Sequence, residues 1–352
     1  MPNPHSDKEH ALLRGLHRWD QAWSDRDYRK LQKVLHEEAV MHADGTLFEY
    51  DVRGAEAIVD IHRRYFYKFE YQHYVISTAA NPETNAAFGF WQDEGIHKHE
   101  EPQVPSSGPP PKAGIPPTVV APAKQEEQTS TQQGAQAGSP ATIAGMWKLV
   151  FDDDCDKVKD IYFLRQLNPE EARHRLRDPS MLGSQGGAPV SRYPSPPHAT
   201  DTASSSHLDV ARRLAEGFSK IWQTGDTSGA KDILLDDGGE FRSLDLMHGG
   251  ETIGQGAFCN MVKKVFEHWH VQKSQLDVGV SADGKTAMVH WCSEGKVPEN
   301  DASFSMYGIN LLVIDLEKGK IKESAGFRQM SPVEKEKMMR PDAFLHSGVP
   351  RP

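Results

Sequence analysis

The feature that most limits what this chain can fold into is an internal repeat. The segment GMWKLVFDDDCDKVKDIYFLRQLNPEE from Gly145 aligns without a gap on GINLLVIDLEKGKIKESAGFRQMSPVE from Gly308, at a constant offset of 163, and ten of 27 positions are identical. The identical positions include Gly145, Leu149, Val150, Asp152, Arg165, Gln166, Pro169 and Glu171. Upstream the offset becomes 200, where FWQDEG ending at Gly95 meets HWCSEG ending at Gly295, and Gly54, Phe66 and Trp91 fall on Gly254, Phe266 and Trp291. A repeat of domain-sized period encodes one unit twice, and 352 residues are enough for two ordinary cores.

The step from 200 to 163 leaves 37 residues present only in the first copy. They coincide with a Pro-rich stretch, 97–142, which holds nine of the 23 prolines and shows no apolar periodicity. Such a segment is expected to be disordered, an insert that splits the first domain rather than ending it. The stretch 178–206, with five prolines and seven serines, reads as an interdomain linker. The expected organisation is therefore a first domain of 1–96 plus 143–177, the linker 178–206, a second domain of 207–341 and a tail of 342–352.

Both copies predict the same order of elements. Leu12, Leu16, Trp19 and Trp23 in one, and Val210, Leu214, Phe218, Ile221 and Trp222 in the other, mark one face of an opening helix. Asp27 and Asp226 stand where they would cap a short second helix. A third helix follows Gly54 and Gly254. Alternating strands come after it, with Asp283-Gly284 and Lys318-Gly319 as turns. Helices followed by an antiparallel meander describe an α+β fold.

A formal charge of -10 supplies no chain-wide positive field for phosphate backbones, so nucleic acid is not expected as a partner. The three cysteines, Cys155, Cys259 and Cys292, lack metal-ligand spacing and suit a reducing compartment. No run approaches the roughly 18 apolar residues of a membrane-spanning helix, and the first residues do not look like a targeting peptide. A cytoplasmic location with no membrane partner is the expectation.

Trp23 to Asp27 and Trp222 to Asp226 as Trp-x-x-x-Asp, the segments VLHEEAVMH and ILLDDGGEF, a glycine before the third helix and a final strand pair, all seen twice in order, resemble the SnoaL-like, nuclear-transport-factor-2-like superfamily. The resemblance covers nearly all of both ordered regions. It implies two cone-shaped α+β domains, each with three N-terminal helices packed in a curved antiparallel sheet around a mostly apolar pocket. Members include isomerases, dehydratases and cyclases as well as non-catalytic modules, so fold alone does not give function.

Isomerase-like members keep a carboxylate base on the strand after the second helix; counted along this sequence, that place falls on Ala43 and Arg242. The neighbouring Asp44 reads as a loop carboxylate capping a turn. The family's helix-borne tyrosine corresponds to Trp19 and Phe218, which do not offer the phenol's hydrogen bond. The isomerase acid and base are thus not retained, and an enzyme is not the first expectation. Dehydratase-like members use histidines, for which His42, His73, His268, His270 and His290 are available.

The candidate pocket residues are Trp23, His42, Trp91, Arg165, Trp222, His290, Trp291 and Arg328. The tryptophans recur and would wall an apolar site or fill a core. Arg165 and Arg328 would clamp a ligand carboxylate or pair with Glu94 and Glu294. No metal and no cofactor are expected, since HWH at 268–270 lacks further ligands. The leading expectation is a tandem that binds a small apolar ligand, its two domains pairing within the chain as an internal pseudo-dimer. A lyase, isomerase or cyclase acting on a hydrophobic carbonyl compound through His42 or His290, and an adaptor using PSSGPPPKAGIPP as a polyproline ligand, are the alternatives.

Overall fold

The computed structural model describes residues 4–97, 140–167, 169–178, 188–189, 194, 203–236, 241–246, 250–298 and 301–343. Leu12, Leu16, Trp19 and Trp23 lie on one side of α1 (Pro4–Ser24) and are all buried. Asp27 caps α2 (Tyr28–Val34), accepting hydrogen bonds from the Arg29 and Lys30 amides at 2.9 and 3.2 Å. Then come β1 (Leu35–His42), β2 (Val52–Arg53) and α3 (Ala55–Lys68). A meander of β3 (Phe69–Asn81), β4 (Ala86–His97), β5 (Pro140–Phe151) and β6 (Val158–Arg165) follows, ending in the short α4 (Pro169–Arg175).

The second half repeats this order. After the two-residue β7 (Ala188–Pro189) it runs α5 (Ser205–Thr224), α6 (Ala230–Ile233), β8 (Arg242–Asp245), β9 (Gly250–Ile253) and α7 (Gln255–His268). The meander is β10 (His270–Val280), β11 (Thr286–Val297), β12 (Ala302–Asp315) and β13 (Lys320–Arg328), closed by α8 (Pro332–Met338). The chain is α+β. Gly284 and Gly319 take the left-handed φ values of 67° and 61° that their hairpin turns need.

Several local expectations change. The sheets are mixed rather than wholly antiparallel, because β1 and β8 return from the helices to run parallel beside β6 and β13. Asp226 accepts from the Ser228 amide at 2.9 Å, and the residue before α6 is Gly229, so Asp226 closes a turn rather than capping the helix. β4 reaches His97 and β5 begins at Pro140, paired with Ile96, so both ends of the expected insert belong to strands. The rest of the insert, with PSSGPPPKAGIPP, lies outside the described residues, as do most of the expected linker and tail. Within that linker Ala188–Pro189 pairs with β9. The helices after each final strand are additions, signalled in sequence only by the shared Pro169 and Glu171 with their counterparts.

All strands join one 13-stranded sheet of order β2-β1-β6-β5-β4-β3-β10-β11-β12-β13-β8-β9-β7 among the described residues. The halves meet in it at the single pair Ala80 and Val280, one repeat offset apart. A hydrophobic cluster fills each half between its helices and its sheet. A third cluster lies between the halves, where Phe88, Phe90 and Met146 pack with Met288, Ile309 and Leu311.

Candidate ligand site

The strand register decides where each candidate side chain points, because neighbours along a strand face opposite sides. In β4 and β11, Trp91 and Trp291 face the helices and stand beside Gly145 and Gly308 on the next strand. A Cβ on Gly145 would fall 2.2 Å from Trp91 Cζ2, and one on Gly308 would fall 2.4 Å from Trp291 Cζ2. The glycines recur because each indole lies flat over one.

Around Trp91 the interior is filled with rings. Phe163 stacks on Trp91 with centroids 5.8 Å apart and planes 8° apart, and Trp147 lies 5.7 Å from Trp91 and 6.0 Å from Trp23. Around Trp291 the counterparts at offset 163 are small: Asn310 replaces Trp147, and Gly326 replaces Phe163. Upstream, Val265 stands for Tyr65. The second half accordingly holds a cavity of about 900 Å³, walled by Phe218, Trp222, Val289, Trp291, Phe304 and Phe327, with Asp245, Asn310, Gly326, Arg328 and Glu334 also on its lining. Asn310 Oδ1 accepts from Trp291 Nε1 at 3.1 Å and fixes the indole. Ile253, 56% exposed, and Leu276 place apolar surface at its rim.

Of the candidate residues, the structure thus brings Trp222, Trp291 and Arg328 to one cavity. Trp23 and Trp91 belong to the filled interior of the first half. Arg165 also stays there, its guanidinium 5.1 Å from the Tyr65 ring centre. The expected partners of the arginines are wrong. Arg165 binds Glu171 through both carboxylate oxygens at 2.8 and 2.7 Å, and Arg328 binds Glu334 with the same two distances. Glu94 lies exposed, and Glu294 faces Lys273 at 3.8 Å. Burial alone would depress both guanidinium pKa values; the carboxylates more than offset it, and the net shift is upward.

His290 and His42 do not line this cavity. Since Trp291 faces the cavity, His290 faces the other side of β11, toward the first half. There the two histidines meet on either side of Tyr162, each ring 4.2 Å from the phenol ring. His42 Nε2 lies 3.1 Å from Asp160 Oδ1. Lys148 Nζ donates to His290 Nδ1 at 3.2 Å and lies 2.8 Å from Asp277, both charged residues being buried. Burial, reinforced by the Lys148 charge, holds His290 well below the usual imidazole range. Asp44 does cap a turn, accepting from the amides of Thr46, Leu47 and Phe48.

His73 occupies the filled interior. Its Nδ1 is 2.5 Å from Asp93 and its Nε2 is 3.3 Å from Asp20, while Tyr65 donates to Asp93 at 3.2 Å. Burial would lower its pKa, but the two carboxylates outweigh it and raise it. His268 is exposed where it lines the cavity, and His270 is exposed beyond it. Among the described residues no group of three or more His, Cys, Asp or Glu is placed to hold a metal ion.

Register also corrects the counting that put Arg242 at the place of Ala43. Leu35 pairs with Val158 and Leu234 with Ile321, an offset of 199 on the helix side, but Val40 pairs with Asp160 and Arg242 with Glu323, an offset of 202. The second half has three more residues in this connection. The counterpart of Ala43 is therefore Asp245, which pairs with Gly326 and lines the cavity. Arg242 is instead bound to Glu251 at 2.6 Å and Glu323 at 3.1 Å. Sequence reasoning missed Asp245, Asn310 and Gly326. The last two were readable as large-to-small changes at the repeat offset.

No known family model and no curated protein sequence matches the chain. Solved structures do match parts of it. An NTF2-like protein from Anabaena variabilis is 20% identical, covering 38% of this chain and 96% of its own, with a TM-score of 0.31. A protein described as a SnoaL-like polyketide cyclase from Mesorhizobium loti is 18% identical over 33% of this chain and 97% of its own, with a TM-score of 0.28. A steroid delta-isomerase from Pseudomonas aeruginosa is 15% identical over 36% and 85%, with a TM-score of 0.28. Among the described residues no helix is long and apolar enough to cross a membrane.

Proposed function

We propose that this chain, similar in sequence pattern and in part of its structure to the SnoaL-like and nuclear-transport-factor-2-like proteins, is a tandem of two cone-shaped domains of which the second binds a small, mostly apolar ligand. The observation that carries this reading is the contrast between the halves: the second has a cavity of about 900 Å³ where the first has interlocking rings. A cavity of that volume with apolar walls and a few polar groups is what small-molecule sites look like. The first domain is then a scaffold, held against the second as an internal pseudo-dimer. Covalent linkage raises the effective concentration of each domain for the other.

The test is a thermal-shift screen of the full chain against apolar carbonyl compounds, steroids and polyketide-like acids. A compound bound to the folded state raises the melting temperature. Shifts that disappear in Trp291→Ala and persist in Trp91→Phe support the assignment to the second domain. Shifts unaffected by Trp291→Ala refute it.

A second reading is favoured by Asp245, a carboxylate on the wall of an apolar cavity, where a base could remove a proton adjacent to a ligand carbonyl. The chain would then be a lyase, isomerase or cyclase. On this reading Asp245→Asn loses turnover while retaining binding. A wild-type chain that binds its ligand and exchanges no proton of it with deuterated solvent is a binding protein only.

A further inference from the structure

The first domain shows what the second lacks. In the first, Trp91 is fully buried and Phe163 lies nearly parallel to it; in the second, Trp291 remains half-buried beside Gly326. The two strand pairs have the same register: Trp147 opposes Phe163 on β5 and β6, and Asn310 opposes Gly326 on β12 and β13. The chain thus contains, in its own first half, a ring seated at the place that stands open in the second.

Resting on the reading of the second domain as a ligand carrier, we infer that Trp291 and Gly326 form a stacking subsite for a flat, conjugated ring, which lies on Trp291 as Phe163 lies on Trp91. Gly326 is the specificity-determining position: any side chain there would occupy the ring's place. The three atoms nearest to a Cβ on Gly326 would all belong to the Asn310 side chain, with Oδ1 at 3.0 Å and Cγ at 3.4 Å. The backbone there does not require glycine, since Gly326 is not among the positive-φ residues. Asn310 keeps the indole in plane through its hydrogen bond to Nε1. A saturated skeleton of equal size fills the cavity but forgoes the stacking, which is worth about 0.5–1.5 kcal/mol beyond area burial.

The experiment titrates the full chain with 2-naphthol and with decahydro-2-naphthol, the same skeleton flat and saturated, by calorimetry. The expected result is one naphthol site, about two- to tenfold tighter than the saturated compound. Gly326→Phe should abolish the naphthol site, with Gly326→Leu as a smaller plug should the phenylalanine variant fail to fold. Phe163→Gly should add a second naphthol site in the first domain. Equal affinity for the two compounds, or naphthol bound equally well by a folded Gly326 variant, overturns the stacking subsite and leaves the cavity standing. Binding of neither compound up to millimolar concentration overturns the cavity reading along with it.

Discussion

Leu176 and Met339 form an isolated antiparallel bridge, and they are 163 residues apart, so each meets its own counterpart. The flanking bonds obey the same exchange. The Arg177 amide donates to the Met338 carbonyl at 2.7 Å and the Arg340 amide to the Arg175 carbonyl at 2.8 Å; the Arg177 and Arg340 Nε atoms donate to the Met339 and Leu176 carbonyls at 3.0 and 2.8 Å. Reciprocity of this kind is the signature of a twofold contact, here within one chain.

Because the arginine pairs of the two halves are alike in geometry and unlike in burial, they should differ in cost when broken. Arg165 is 3% exposed and Arg328 20%. Arg165→Met strands a partly buried Glu171 and should destabilise by about 3–5 kcal/mol in urea unfolding. Arg328→Met should cost less, since water reaches its site. Equal losses would show that burial does not govern the two pairs.

Acid should weaken the first half through His62. Burial pushes its imidazole down to about 4, against the pull of the Ile58 carbonyl, to which Nδ1 is 2.7 Å away. An unfolded imidazole binds its proton near 6.5. Between these values the unfolded chain holds more protons, so stability falls as pH drops from about 6.5 to about 4. His62→Met should reduce the stability lost between pH 7 and pH 4.5 by about 2–3 kcal/mol, as read from urea midpoints.

His73 should act with the opposite sign. Its pKa is raised by Asp20 and Asp93 in spite of burial, so its contribution is complete below the unfolded value and is lost as pH rises through the folded one. An NMR titration should show one imidazole that keeps its proton above pH 6.5 and no longer does so in Asp93→Asn.

Between the halves, Lys148 is tied to Asp277, which also accepts from Asn81 at 2.7 Å and Thr84 at 2.8 Å. Lys148→Met removes the cation beside His290 and should move that imidazole's titration upward. A midpoint that stays put would assign the depression to burial and the neighbouring His42 rather than to Lys148.

The repeat made the order of elements legible, because periodicity and glycine placement are local signals. Trp91 could be matched to Trp291, and Gly145 to Gly308, for that reason. Facings that hang on register are not legible in this way: Trp291 takes the cavity side of its strand, which turns its neighbour His290 to the opposite side. Asp245 escaped because three extra residues before β8 shift the count between two fixed anchors. The partners of Arg165 and Arg328 were in plain view, since Glu171 and Glu334 recur at the same offset. They lie within short helices, α4 and α8, whose packing nothing in the local pattern announces.

The sheet that joins the halves also bears on how this chain avoids its own kind. A strand left unpaired at a sheet's border is a template for other chains, and long, flat borders invite aggregation. Among the described residues the outermost strands are β2 and β7, each of two residues, and the long strands β3 and β10 meet at Ala80 and Val280. At those two outer borders an incoming strand finds only a two-residue ladder to extend, whereas β3 and β10 cover each other at one position and leave the rest of their facing edges to the twist of the sheet.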